Sequence, residues 1–382
     1  MNIKPHLEKA PSVSKSVIHL ASVKSAAANS GVLQQMEWEH LAALDSSLPW
    51  NTELWSADHV AQQNVHRMFP LIFQSFLGRR FYFFLRIIRC SKTHDTLLIR
   101  YSPLDLFNVF IPKYTRKKIL YVFHTHTNFY LKYRAKRIGV ILAYLDRLLM
   151  RKIIKDCAGI VGATKHIIKH EQTRLNITLR KTIIYPNGIY LDNWGRLIKD
   201  ERSGPLKIIF VASRFFEWNG LEDILASIKA AKTDIPWELH LVGDLLPQQV
   251  NFIKTNGLTN RIKLHGVLAS RDIAILMSSI DLSLGAFRLD KVGLHSACTL
   301  KVRESLGHGV PVYSGHSDVA LSGRTNCYIQ GPPDWLKILG IAQAFRAKPK
   351  SYIRDTSREY IDKSILVSGL ANAMAQPTEV CD

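Results

Sequence analysis

Apolar residues recur along this chain in two alternating rhythms. Short apolar runs at 17–23, 96–101, 118–123, 159–162 and 182–185 read as strands. Runs this short, with little alternation, suit strands buried on both faces. Between them the spacing turns helical. The polar loop 24–31 leads into a helix through Leu33, Met36, Trp38 and Leu41, and 135–155 repeats the pattern. A strand, a Gly-containing loop and a helix make the opening unit of a Rossmann-like domain. Continued alternation predicts a parallel sheet covered on both sides.

Pro186-Asn187-Gly188 interrupts this pattern as a structural turn, and 197–205 reads as a linker. The alternation then starts afresh. Strand candidates lie at 207–212, 238–243, 262–266, 281–284 and 310–313, with helices from Leu221 and over 272–278. The chain is therefore expected to be α/β, with two Rossmann-like domains, residues 1–195 and 196–350, facing a central cleft. A polar helix and tail are expected over 351–382. At 382 residues each half is long enough for its own core.

Hydrophobic residues make up 47% of the chain and charged ones 21%, the proportions of a globular protein rather than a disordered one. No apolar core follows the charges near the N-terminus, and no run of about 18 uncharged apolar residues occurs. Neither a secretory leader nor a spanning helix is expected. Five scattered cysteines without C-x-x-C spacing point to thiols in a reducing compartment. The expected location is cytoplasmic, with peripheral attachment to the inner face of the membrane as the extension of that reading.

Charge sharpens the picture. The net charge is +20, and residues 79–181 hold 23 Lys and Arg against five acids, so nearly all the excess lies in the first half. Such a field attracts nucleic acid, an anionic leaflet or phosphate-bearing substrates, or it serves only as solvated surface. No RNA-binding signature, zinc knuckle or helix-turn-helix pattern accompanies it, which disfavours nucleic acid. The segment 71–89, LIFQSFLGRRFYFFLRIIR, mixes aromatic and aliphatic residues with arginines. It suits either a buried helix with basic ends or a helix lying in a headgroup layer.

Candidate chemistry concentrates in the second half. In 294–315, LHSACTLKVRESLGHGVPVYSG, Lys301 and Glu304 stand three apart in a helical stretch and share one face. A cation beside a carboxylate suits a ligand that is part phosphate and part polyol; a salt bridge between the two is the structural alternative. Arg214, Asn219 and Gly220 lie in the loop joining the first strand of this half to its helix, where backbone N–H groups favour phosphate. In the first half, His124 and then His126 follow the strand 118–123, at the end where open α/β sheets bind ligands. No acid or Cys cluster accompanies them, so no metal is expected.

Together these stretches resemble GT-B glycosyltransferases of the family-4 type. The resemblance rests on Leu300-Lys301-Val302-Arg303-Glu304, with Gly293-Leu294 ahead and Gly309-Val310-Pro311-Val312 behind, and on Arg214 followed by Trp218-Asn219-Gly220. It is similar to the LKxRE variant of bacterial surface-polysaccharide transferases. What it implies is a GT-B fold and a retaining, metal-independent hexosyl transfer. The sugar would pass from a nucleotide-sugar, with no further cofactor, to a hydroxyl of a lipid-linked or growing surface saccharide.

The resemblance puts Arg214 and Lys301 at the donor diphosphate, Glu304 at the ribose and His124 near the reacting sugar. Asn219, Gly220 and Gly31 become further contacts. Two positions depart from the family pattern. Asn219 stands where a Lys is usual, and Ser296 stands where the first acid of E-x7-E contacts the sugar, with His295 the neighbouring candidate. An active enzyme and an inactive GT-B scaffold bound to a partner transferase both remain compatible with that exchange.

Overall fold

The computed structural model describes residues 15–60, 63–127, 138–179, 181–194, 200–294 and 296–376. Its first half runs β1 (Val17–Ser22), α1 (Ser30–Asp45), β2 (Trp50–Ser56), β3 (His66–Met68), α2 (Phe76–Cys90), β4 (Thr96–Arg100), α3 (Lys113–Arg116), β5 (Ile119–Phe123), α4 (Gly139–Ile154), β6 (Gly159–Gly162), α5 (Lys165–Leu175) and β7 (Thr182–Ile184). These strands form one parallel sheet in the order β3-β2-β1-β4-β5-β6-β7. Every residue of β5 is buried, as a strand covered on both faces requires.

The second half runs β8 (Leu206–Arg214), α6 (Leu221–Ala230), β9 (Trp237–Asp244), α7 (Pro247–Thr255), β10 (Ile262–Gly266), α8 (Ser270–Met277), β11 (Leu282–Leu284), α9 (Leu300–Gly307), β12 (Val312–Ser314), β13 (Tyr328–Gln330), α10 (Trp335–Arg346), α11 (Lys350–Ile361) and α12 (Lys363–Ala375). Its parallel sheet has the order β10-β9-β8-β11-β12-β13. Two Rossmann-like layers thus stand where the alternation predicts them. The strand expected over 310–313 begins two residues late, at Val312. Pro311 has no N–H for the ladder and contributes only its carbonyl, which accepts from Ser283 N at 2.9 Å.

Among the departures from the sequence reading, which include the unexpected strands β3 and β13, two have a clear physical cause. β2 escapes that reading because Asn51, Thr52 and Glu53 break the apolar run; Glu53 is neutralised from α2 by Arg86 Nη2 at 2.5 Å and Nε at 3.0 Å. The expected tail is also corrected. Residues 363–375 form α12, which packs on α1 and β7 of the first domain. Backbone bonds secure the return: Ile189 N donates to Ile361 O and Lys363 N to Ile189 O, both at 2.8 Å. One apolar cluster then runs from Leu98 and Val122 through Tyr185 and Ile189 to Leu306 and Ile353, joining the two halves.

At the heart of this junction lies a buried carboxylate. Glu39 of α1 meets His19 Nδ1 of β1 at 2.6 Å, Trp50 Nε1 of β2 at 3.2 Å and Tyr185 OH at 2.9 Å. Lys363 Nζ of α12 stands 3.7 Å from the same carboxylate and 4.1 Å from the Tyr185 ring centre. Burial alone would raise the pKa of Glu39. His19, then Lys363 and Tyr185, outweigh it and hold the carboxyl at about 2, against an ordinary 4.5.

A depressed carboxylate stabilises the fold above its unfolded pKa and loses that contribution as pH falls. Glu39 is therefore expected to supply on the order of 3 kcal/mol at neutral pH, lost between about 4.5 and about 2. Denaturant midpoints measured against pH check this: the wild-type fall over that window should flatten in Glu39→Gln. At pH 7 the same variant leaves Lys363 buried without its counter-charge and should lose about 3–5 kcal/mol.

Candidate functional site

Parallel strands present their C-terminal ends on one edge of a sheet, where open α/β layers bind ligands. In the second sheet Arg214 ends β8 and Asp244 ends β9. The chain also leaves β11 at this edge, and α9 must begin there to run back to the start of β12. Lys301 and Glu304, near the start of α9, therefore share the edge with Arg214.

Lys301 and Glu304 do not close on each other. Neither side chain makes a hydrogen bond or salt bridge among the described residues, so the structural alternative of an i,i+3 bridge is not realised. Lys301 is exposed at the surface; the protein packed about it displaces water and pushes its pKa down, with Glu304 opposing. Glu304 is half-buried, and burial raises its carboxyl, with Lys301 opposing.

The residue between them behaves in the opposite way. Arg303 is fully buried and forms a two-pronged pair with Asp318: Nη2 donates to Oδ1 at 2.8 Å while Nη1 meets Oδ2. Its Nε donates to Asn187 O at 3.1 Å. One helix thus carries a closed ion pair inward, as anchor, and an open cation–carboxylate pair outward.

Arg214 Nε lies 3.6 Å from Asp244 Oδ2, with both side chains about half exposed, and its guanidinium sits 5.6 Å from the Phe216 ring centre. An exposed pair of this kind contributes about 0–1 kcal/mol, so a diphosphate can take Arg214 from Asp244 readily. In the loop that follows, Asn219 Oδ1 accepts from Phe216 N at 2.9 Å. Gly220 adopts φ +73°, and a Cβ there would stand 2.8 Å from Phe287 Cβ. Asn219 and Gly220 thus shape the loop that presents the first N–H groups of α6. Ser296 lies in the extended segment before α9, bridged to Ser317, with Ala297 N donating to Ser317 O at 3.1 Å. His295 lies outside the described residues.

On the facing half, His124 follows β5 directly, and both its ring nitrogens are buried without a hydrogen bond. Burial first, then Arg100, His19 and Lys363, push its pKa well below the ordinary range; a contact from Asn187 that falls short of hydrogen-bond geometry opposes them. The imidazole is therefore neutral at physiological pH. His126 points elsewhere and is buried in a stack with His170, ring centres 4.1 Å apart, and His166, 5.5 Å away. Gly31 is the second residue of α1, where a Cβ would meet nothing within 4 Å. Among the described residues no group of three His, Cys, Asp or Glu is placed to hold a metal.

Asn187 joins the two halves. Its Oδ1 accepts from Gln35 of α1 at 3.1 Å, its amide nitrogen donates to Cys298 O, and its backbone carbonyl receives Arg303. The Pro186-Asn187-Gly188 turn is therefore also the seam between α1, His124 and the start of α9. Sequence reasoning missed this, as it missed Arg303–Asp318 and Asp244. The only local signal was the turn itself.

No family model and no curated protein matches the chain in sequence. Solved structures do match in shape. A glycosyltransferase of Rickettsia africae overlays with a TM-score of 0.65 at 13% identity, over 96% of this chain and 100% of that one. HepE of Anabaena, crystallised with UDP, overlays at 0.63 and 14% identity, over 94% and 99%. The lipopolysaccharide outer core galactosyltransferase WaaB overlays at 0.59 and 12% identity, over the same shares.

The chain has the GT-B fold. Likeness at such low identity carries the architecture, and the activity has to be argued from the residues within it. In this GT-B chain the C-terminal edges of both sheets carry the candidate groups: Arg214, Lys301 and Glu304 on one, His124 on the other.

Replacing the anchor should separate scaffold from site. Arg303→Met leaves Asp318 buried without its guanidinium and should destabilise the protein by about 3–5 kcal/mol. Urea denaturation measures this, and replacing Asp318 by Leu in the same chain should recover part of the loss.

Proposed function

We propose that the protein is a retaining glycosyltransferase. It moves a hexose from a nucleotide-sugar donor to a hydroxyl of a lipid-linked or growing surface saccharide. The observation that carries this reading is the open Lys301–Glu304 pair at the same sheet edge as Arg214. Arg214 and Lys301 meet the diphosphate, and Glu304 accepts hydrogen bonds from ribose hydroxyls. Preorganised charge at the departing nucleoside diphosphate is then the largest contribution to rate, with a single such contact supplying about 3–4 kcal/mol. Two cations at that point make a metal unnecessary in this proposal. When the halves close, His124 comes over the sugar as a neutral imidazole. The UDP and UDP-glucose bound by HepE favour a nucleotide-sugar donor here.

Arg214 and Lys301 are exposed, so their removal should spare the fold. Arg214→Ala and Lys301→Ala are each expected to reduce transfer about 100-fold or more at unchanged circular dichroism and melting temperature. Normal donor turnover in both variants would overturn the assignment. The inactive-scaffold reading draws on Ser296 in the slot of the missing acid, and it predicts no release of nucleoside diphosphate by the wild-type chain.

We further infer that the first domain docks on anionic membrane. α2 buries only Phe83, Ile87 and Cys90. Phe76 and Leu77 stand about three-fifths exposed, and Leu71 and Ile72, just ahead, are 80% and 83% exposed. The turn Leu106–Phe110 links α2 to α4, which exposes Val140, Ile141 and Tyr144. An apolar face of this extent inside a strongly basic region suits a headgroup layer. No helix among the described residues is long and apolar enough to cross a membrane. Liposome co-sedimentation should rise with anionic lipid and fall with salt, and Ile72→Asp with Leu77→Asp should cut it at least tenfold at unchanged melting temperature. Binding indifferent to both lipid charge and salt would remove the membrane from the reading.

A further inference from the structure

The donor side uses the second sheet, yet a cleft of about 420 Å³ opens in the first domain at the ends of β1, β4 and β5 beside the start of α2. Its walls include His124 and Phe76, and four cations line it: Lys24, Arg79, Arg80 and Arg100. Asp105 is the one carboxylate among its lining residues, and it is already engaged. Arg80 Nη1 lies 3.0 Å from Asp105 Oδ2, and Phe107 N–H donates to Oδ1 at 3.2 Å. Lys24, Arg79 and Arg100 have no ion-pair partner among the described residues.

Arg100 decides the matter. It ends β4, and its guanidinium makes one hydrogen bond among the described residues, from Nη1 to Gln35 Oε1 at 3.3 Å. Burial pulls its pKa down to about 10, with Glu39 opposing from beyond pairing distance. A guanidinium partly withdrawn from water without a paired counter-charge is unfavourable in a folded chain, and hydrogen-bonding to Gln35 does not require a charge. It becomes favourable once an anion enters the cleft. Arginine forks match phosphate oxygens in pairs, and a neutral saccharide would leave all three cations unmatched.

We propose that this cleft holds a phosphate or diphosphate group attached to the acceptor sugar, gripped by Arg100, Arg79 and Lys24. The word acceptor rests on the glycosyltransferase reading; the anion site rests on the cleft alone. With the phosphate there, the sugar extends toward His124. Whatever the phosphate carries on its other side leaves past Phe76, which is both part of the cleft wall and part of the exposed apolar face.

Pyrophosphate would also find the donor cations, so binding is best measured by calorimetry on the full-length Arg214→Ala/Lys301→Ala protein, with pyrophosphate and geranyl diphosphate as probes. Both are expected to bind, more weakly as salt rises. Adding Lys24→Ala and Arg79→Ala should lower affinity at least tenfold. Arg100→Met should abolish binding while leaving the melting temperature nearly unchanged, because the partly exposed guanidinium makes no ion pair and only one hydrogen bond among the described residues. Tighter binding of geranyl diphosphate assigns the phosphate to a lipid carrier; equal binding assigns it to a soluble phosphorylated acceptor. No binding in this background, or binding indifferent to Lys24, Arg79 and Arg100, overturns the proposal. Donor turnover by the wild-type protein reports separately: turnover without pyrophosphate binding sinks this inference alone, and binding without turnover sinks the glycosyltransferase reading alone.

Discussion

The architecture depends on one buried carboxylate. Glu39 gathers His19 from β1, Trp50 from β2, Tyr185 from just beyond β7 and Lys363 from α12 around a single pair of oxygens. Each partner comes from a different element, so the contact fixes how α1 lies on the first sheet and how the end of the chain lies on α1. A hydrophobic contact would tolerate sliding. A carboxylate held by three hydrogen bonds and a nearby ammonium does not, because any displacement leaves a buried polar group unmatched. Arg100, His19 and Lys363 also stand close enough to His124 to push its pKa down.

On the opposite side of the seam the same logic is used with a different outcome. Arg303 and Asp318 satisfy each other in the interior and hold α9 against Asn187. Lys301 and Glu304, on the same helix, are left facing outward without mutual satisfaction. The closed pair fixes the helix, and the fixed helix sets where the open pair faces. Arg214 sits between these cases: its exposed partner Asp244 holds the guanidinium loosely enough for a ligand to displace it.

Much of this was legible in the chain. Parallel strands covered on both faces appear as short apolar runs, so β1, β4 to β7 and β8 to β11 stand near their expected places. Arg214, Lys301 and Glu304 were visible because their chemistry lies within local stretches. The rest was hidden by distance along the chain. Glu53 makes β2 look polar until Arg86 arrives from α2. Residues 363–375 look like a tail because Asp362 and Lys363 at their start are charged, yet both are buried in the fold. Asn187 reads as a turn residue, and nothing local to it announces Gln35, Cys298 or Arg303. Arg100 reads as the polar end of a strand, and nothing local to it announces the cleft it lines.

The return of the last helix to the first domain has a consequence in time as well as in space. Residues 15–194 contain every strand of the first sheet, yet Glu39 meets its ammonium partner only when Lys363, beyond the last strand of the second sheet, has been made. During synthesis the leading domain therefore holds that carboxylate with its His19, Trp50 and Tyr185 partners alone while the second half is translated behind it. The half that emerges first is completed only after the second sheet has been made.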